Sequence, residues 1–180
     1  MLNEKVICAG FGGQGVMSMG QLLTYAGMIE DKQVSWLPSY GPEMRGGTAN
    51  CNVIVSESLI GSPIIVDDAT CAIVMNLPSL EKFESDLAPQ GKLLINSSLI
   101  EKKASRDDVI AYYIPANEIA IELGNDRIAN MVMLGAYLEL THAVDVESIR
   151  KAFMKVFGER KAHLIDINMK ALEKGAEAVK

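Results

Sequence analysis

The 180-residue sequence is short of the residue types that most often declare a chemistry. Its three cysteines, Cys8, Cys51 and Cys71, are scattered and odd in number, with no C-x-x-C pair, so they supply neither a disulfide framework nor a cluster-binding motif. Free thiols buried on strands are the expectation. Its two histidines, His142 and His163, follow an apolar helical stretch and sit in a Lys/Arg-containing segment, places that suit capping or surface roles better than catalysis. Basic residues number 17 against 23 acidic ones, a formal net charge of -6, which excludes the clustered cationic footprint of a nucleic-acid surface. No apolar run approaches the roughly 20 residues needed to span a bilayer. The opening MLNEKVICAG reaches a strand-like run without a long apolar leader or a cleavage site, so a cytoplasmic protein with no membrane partner is expected.

What is present is enough apolar material, 49% of residues, to bury a sizeable core at a one-domain length, residues 1–180. Lys5 to Ala9 reads as a buried strand ending at Gly10. From Gln14 the period changes to helical, with Val16, Met19, Leu23 and Ala26 on one face and Gly20 and Gly27 small enough for close approach to a sheet. Gln33 to Pro38 reads as a second strand, completing a stretch the size of one βαβ unit. Beyond a polar loop, TANCNVIVSESLIGSPIIV alternates as a half-exposed strand, expected as an edge hairpin closed near Gly61-Ser62-Pro63.

Cys71 to Met75, Lys92 to Asn96 and Ala111 to Ile114 supply further strands, the first two separated by a charged helix from Leu77 to Leu87. Asn117 is expected to N-cap a short helix that Gly124 ends, followed by a mostly apolar helix from Ile128 to Leu140. Val146 to Phe157 and Lys161 to Val179 read as amphipathic helices broken at Gly158. The sum is an α/β fold: a three-layer, Rossmann-like sandwich with a mostly parallel sheet and a helical C-terminal cap.

Between the first strand and the first helix, Gly10, Gly12 and Gly15 satisfy G-x-G-x-x-G. Glycines there permit a tight turn, close backbone approach to a ligand, and helix–strand contact, while the free N–H groups of the helix start attract an anion. Three readings stay open: a dinucleotide, another phosphate-bearing ligand, or a purely structural turn. Against a nicotinamide cofactor, the end of the second strand carries Leu37-Pro38-Ser39 where an acid for the ribose hydroxyls is wanted; Glu30 and Asp31 precede that strand. A Walker loop is excluded because no Lys-Ser or Lys-Thr follows the glycines.

SYGPEMRGG, residues 39–47, leaves the second strand towards the same carboxyl edge of the sheet. Arg45 offers a permanently charged fork for phosphate or carboxylate, and Gly46-Gly47 leaves adjacent backbone N–H groups uncovered. A solvated arginine in a turn is the bland alternative.

GFGGQGVMSMGQLL followed by SYGPEMRGGTANCNVIVS resembles the gamma subunit of the 2-oxoacid:ferredoxin oxidoreductases, the group of the pyruvate, 2-oxoglutarate and branched-chain 2-oxoacid enzymes. GKLLINSSLI and IPANEIAIELGNDRIANMVMLGAYLEL are similar too, so the resemblance covers most of the chain, although Asp67-Asp68-Ala69 departs from the family's usual Ala-Asp pair.

The resemblance implies a subunit of an oxidoreductase with no complete catalytic constellation of its own, contributing coenzyme A binding and active-site closure. By the same resemblance the enzyme decarboxylates a 2-oxoacid, with 2-oxoglutarate or a branched-chain acid favoured by GNDRIANMVMLG, and forms acyl-coenzyme A. Thiamine diphosphate, Mg²⁺ and iron–sulfur clusters belong to partner alpha, beta and delta subunits, and ferredoxin accepts the electrons. The positions carried over for cofactor binding are Gly10, Gly12, Gly13, Gln14 and Gly15 in the first loop and Ser39, Tyr40, Gly41, Glu43, Arg45, Gly46 and Gly47 in the second, with no catalytic residue and no metal ligand. Asn130 is expected as a buried amide bonded to a loop backbone. The alternatives are a stand-alone NAD-dependent dehydrogenase and a structural or binding module that holds no coenzyme. The smaller subunit of the indolepyruvate enzyme, a variant of the same family, is separated only weakly.

Overall fold

The computed structural model describes residues 1–39 and 49–180. Short apolar runs form β1 (Asn3–Gly10), β2 (Gln33–Ser39), β3 (Ala49–Ser56), β4 (Ala69–Val74), β5 (Leu87–Asn96) and β6 (Ile110–Ile114). They make one six-stranded sheet in the order β2-β3-β1-β4-β5-β6. The pairings β1–β4, β4–β5 and β5–β6 are parallel, whereas β1–β3 and β2–β3 are antiparallel. Two reversals bring β2 back to the sense of β1, so β3 is the one strand of the six that opposes the rest.

Side-chain alternation along these strands divides the core in two. Val6, Cys8, Val53, Cys71 and Ile73 point to one face, where α1 (Val16–Ile29), α3 (Ala116–Glu122) and α4 (Ala129–Thr141) cover them. Against α1 and α4 rest α5 (Val146–Phe157) and α6 (Ile165–Glu177), forming the C-terminal cap. Ile7, Ala9, Ile54, Ala72 and Val74 point to the other face, under the short α2 (Leu77–Phe83) and loops that contribute Ile65 and Ile100. The sandwich is therefore three-layered and lopsided, with most of its helical mass on one side.

Helix α1 fits because Val16, Met19, Leu22, Leu23 and Ala26 are buried on its sheet-facing side. Each of the larger of these side chains contributes about 1.5–3 kcal/mol relative to exposure. The close approach needs glycine: a Cβ at Gly20 would lie 2.5 Å from Cys51 Sγ, and one at Gly27 would lie 2.6 Å from Val34 Cγ1. In the same way α4 and α6 touch backbone to backbone, since a Cβ at Gly135 would overlap the Leu172 carbonyl and one at Gly175 the Val132 carbonyl.

Several local expectations are corrected. The strand from Ala49 makes its edge pair with the preceding strand, β2, and not with a strand beyond Gly61-Ser62-Pro63: β3 lies antiparallel between β2 and β1, and residues 57–68 after it contain no strand. The edge is β2, where Pro38, which lacks a donor, is tolerated. β1-α1-β2 is accordingly not a simple βαβ unit, because β3 separates the two strands. Asn117 does not cap α3; Pro115 holds that position, and Asn117 Oδ1 instead accepts from Asn96 Nδ2 at 2.7 Å. Strand β5 begins at Leu87 rather than Lys92, with Gln90 in the left-handed region at φ 65 and a register shift opposite Ala69 and Cys71. Gly124 and Gly158 do end their helices as expected, both at positive φ, and α5 spans the residues expected of it.

Candidate functional site

The loop from Gly10 to Gly15 is held by its own glutamine. Gln14 Oε1 accepts from the Phe11 N–H at 2.6 Å and from Asn76 Nδ2 at 3.5 Å, while Gln14 Nε2 donates to the Met75 carbonyl at 3.3 Å. The Gln14 side chain thus ties β1's exit to β4's exit. Asn76 is itself fixed, because its Oδ1 accepts from Ser79 N–H at 2.9 Å as the N-cap of α2. Gly10 has no room for a side chain, since a Cβ would lie 2.7 Å from Gln14 Oε1 and 2.9 Å from Met75 Cβ. Gly12 and Gly13 are the reverse: they form an exposed crest with nothing among the described residues within 4 Å of a notional Cβ.

Gly15 is the N-cap of α1 and takes φ 76, which an L residue adopts only at a cost. Among the described residues no side chain caps this helix, and no acid lies in its first turn. Among the described residues nothing accepts from the N–H groups of the first turn, Val16 to Ser18, and the helix dipole there favours an anion.

Register places the second loop's root beside the first. Ser39 pairs with Asn50 while Gly10 pairs with Ala49, so the exit of β2 and the glycine turn share one edge of the sheet. Tyr40, Gly41, Glu43, Arg45, Gly46 and Gly47 lie outside the described residues. Glu30 and Asp31 sit at the opposite end of α1, before β2. Glu30 is occupied structurally, pairing with Lys32 Nζ and accepting the Asp145 N–H, both at 2.7 Å. Burial works to raise its proton affinity, but bonds from Lys32, Ser148 and Asp145 hold the carboxyl below its ordinary range.

Three hollows flank the glycine turn. One of about 320 Å³ lies between its crest, the start of α1 and Ala49. A smaller one, about 180 Å³, lies on the β4 side between Gly13, Gln14, Asn117 and Arg127. The third, about 510 Å³, runs beneath Gly15 and Ser18 towards α5 and α6 and is reached by Arg127 and Lys161. The sequence reading passed over these two cations, as well as Asn125 and Asn168. They are far from the glycines in sequence, and no local pattern marks them as neighbours of the turn. The buried Asn130 was anticipated, and its Nδ2 donates to the Gly15 carbonyl at 3.1 Å. His142 is an exposed C-cap of α4 at φ 49, and His163 lies on an exposed 3-10 turn. Among the described residues no group of three or more His, Cys, Asp and Glu side chains is arranged to hold a metal ion, and no helix is long and apolar enough to cross a membrane.

A model of the pyruvate ferredoxin/flavodoxin oxidoreductase family matches residues 5–178. The chain belongs to that family. Among curated members, the ketoisovalerate oxidoreductase subunit VorA of Methanothermobacter thermautotrophicus is 44% identical over 174 residues, 96% of this chain but only 36% of VorA. This chain thus spans about a third of the length of that relative. Among solved structures, the keto/oxoacid ferredoxin oxidoreductase gamma subunit of Geobacter sulfurreducens superposes with TM-score 0.82 at 29% identity, covering 98% of both chains. The 2-oxoglutarate:ferredoxin oxidoreductase of Magnetococcus marinus, solved with 2-oxoglutarate, coenzyme A and succinyl-CoA bound, gives TM-score 0.88 over 99% of this chain and 31% of its own. At 23% identity that likeness is one of fold.

Proposed function

We propose that this chain is the gamma subunit of a 2-oxoacid:ferredoxin oxidoreductase and that it binds coenzyme A, positioning its thiol for acyl transfer at a site on partner subunits. The observation that carries the reading is the uncapped α1 N-terminus behind the open Gly12-Gly13 crest, an anion-binding geometry at the sheet edge where β2 also ends. Such a subunit works by positioning a co-substrate, which needs no proton-transferring side chain here. The co-substrate sites are Gly10, Gly12, Gly13, Gly15 and the segment from Ser39 to Gly47 with Arg45 as anion fork, while Gln14 keeps the turn in shape. The whole chain acts as one gamma domain in the cytoplasm, with alpha, beta and delta partners carrying thiamine diphosphate, Mg²⁺ and iron–sulfur clusters, and ferredoxin taking the electrons.

The substrate we favour is a branched-chain 2-oxoacid, because VorA, at 44% identity, carries ketoisovalerate in its name. A 2-oxoglutarate enzyme is the second reading, supported by the Magnetococcus marinus structure through fold alone.

The test is Arg45→Ala in the assembled enzyme. KM for coenzyme A should rise about tenfold, the loss of a charge-assisted contact, with coenzyme A-independent decarboxylation of the 2-oxoacid unchanged. Equal loss of both activities would reject coenzyme binding in favour of an assembly role. A 2-oxoacid panel on the same preparation decides between the two substrates.

A further inference from the structure

A cleft of about 350 Å³ opens between α4 and α6 and shares no lining residue with the three hollows around the glycine turn. Local structure makes it. The two helices meet backbone to backbone at Gly135, and past that contact α4 ends at His142, whose left-handed φ 49 turns the chain out of the helix. Val144, Asp145 and Val146 then form one wall.

The floor is apolar. Leu138, Val144 and Leu172 are almost wholly buried there, while Val146, at the start of α5, stays half exposed and presents apolar surface to water. The rim carries charge of one sign. Glu139, Asp145 and Glu173 border the cleft, with no lysine or arginine among its lining residues.

Among the described residues Asp145 and Glu173 form no ion pair. Glu139 has one, with Lys180 Nζ at 3.6 Å, and that lysine is itself 62% exposed. Carboxylates set around one hollow repel one another, and a cation placed among them relieves the repulsion. Among the described residues these acids do not form a group that could hold a metal ion. An apolar floor inside an acidic rim suits instead a protein segment that brings aliphatic side chains and basic ones together.

We infer that this cleft docks a basic, apolar-anchored segment of another subunit. Its aliphatic side chains rest on Leu138, Val144 and Val146, and its lysines or arginines face Glu139, Asp145 and Glu173. That the partner is a subunit rests on the gamma-subunit reading, whereas the chemistry of the segment rests on the cleft alone. A second copy of this chain, itself at net charge -6, would bring more acid than base to the rim. The rim steers encounter and fixes register, and the floor supplies the burial.

The experiment is carboxyl footprinting with a carbodiimide and glycine ethyl ester, on the chain alone and on the assembled enzyme, read by peptide mass spectrometry. Labelling of Glu139, Asp145 and Glu173 should fall strongly on assembly. A second measurement is retention of the chain by the other subunits. Glu173 is exposed, so Glu173→Lys should fold as the wild type does, and circular dichroism checks it. The reversal should weaken retention about tenfold at low salt, with Glu173→Gln in between and the deficit shrinking as salt screens the rim.

Equal labelling in the free and assembled chain, or retention of Glu173→Lys equal to wild type, overturns the docking; coenzyme A-dependent activity in that same assembly leaves the gamma-subunit reading standing without it. Protection that appears in the chain alone as its concentration rises shows self-association and overturns the docking too. Protected carboxylates and weakened retention, in an assembly whose activity does not depend on coenzyme A, keep the docking and reject the coenzyme A reading. A chain that joins no other subunit overturns both.

Discussion

Asn130, in the first turn of α4, donates to the carbonyl of Gly15, the N-cap of α1, at 3.1 Å. The same carbonyl accepts the Met19 N–H at 3.0 Å, so it has two donors and the two helix starts are fastened to one atom. Removing one donor by Asn130→Ala should cost about 1 kcal/mol of stability. Gly15→Ala should cost more: about 1–2 kcal/mol for the left-handed backbone, plus displacement of Asn130 Nδ2, which would lie 2.5 Å from the new Cβ. Because that overlap is shared, the double variant in urea unfolding should be less destabilised than the sum of the singles.

The turn was legible in the sequence because its glycines have local causes, a crowded Gly10, an open Gly12 and Gly13, and a left-handed Gly15. The α5 boundaries were legible for a similar reason, an amphipathic run stopped at Gly158. The place of β3 was not, since alternation tells which residues face the core and says nothing about which neighbour a strand pairs with. Asn117 read as a cap because asparagine favours caps, but bonding to Asn96 claimed its side chain. Arg127 and Lys161 border one hollow only through the packing of α4 and α5 against α1.

Overpacking the α4–α6 crossing should be severe. In Gly175→Ala the new methyl group meets the Val132 carbonyl, backbone that cannot rotate away. A loss of about 3 kcal/mol or more is expected by chemical denaturation, against a few tenths for a change at an exposed helical position.

Glu84 gives the acid limb of the stability profile a named contributor. It is buried, and accepts from Ser105 N–H at 2.6 Å, Ser105 Oγ at 2.7 Å and Arg106 N–H at 3.1 Å. Burial works to raise its proton affinity, but these bonds prevail and hold the carboxyl below its ordinary range. A depressed value stabilises the fold above the unfolded pKa of about 4.3 and loses that contribution as pH falls through the folded value. Glu84→Gln should therefore be about 1–3 kcal/mol less stable at pH 7, and the difference from wild type should shrink as the titration proceeds below about pH 4.

The thiols should be silent until the protein opens. Cys8, Cys51 and Cys71 are all buried. The neighbouring Cys51 and burial push the Cys8 thiol up, and burial does the same to Cys71. A thiol reagent at pH 8 should find none of the three in the native chain and all of them in denaturant, with native-state labelling paced by unfolding. Rapid labelling of one thiol in the folded chain would contradict the burial.

The single reversed strand also relieves residues 40–48 of a duty. A connection between parallel strands has to carry the chain back across the whole sheet, and most of its residues are committed to that journey. Here the chain leaves at Ser39 and returns at Asn50, which are partners across β2 and β3, so the sheet needs no distance covered between them. Residues can be exchanged, added or removed in that interval without disturbing the register. That interval can thus change in length or composition while the glycine turn, one strand away, keeps its form.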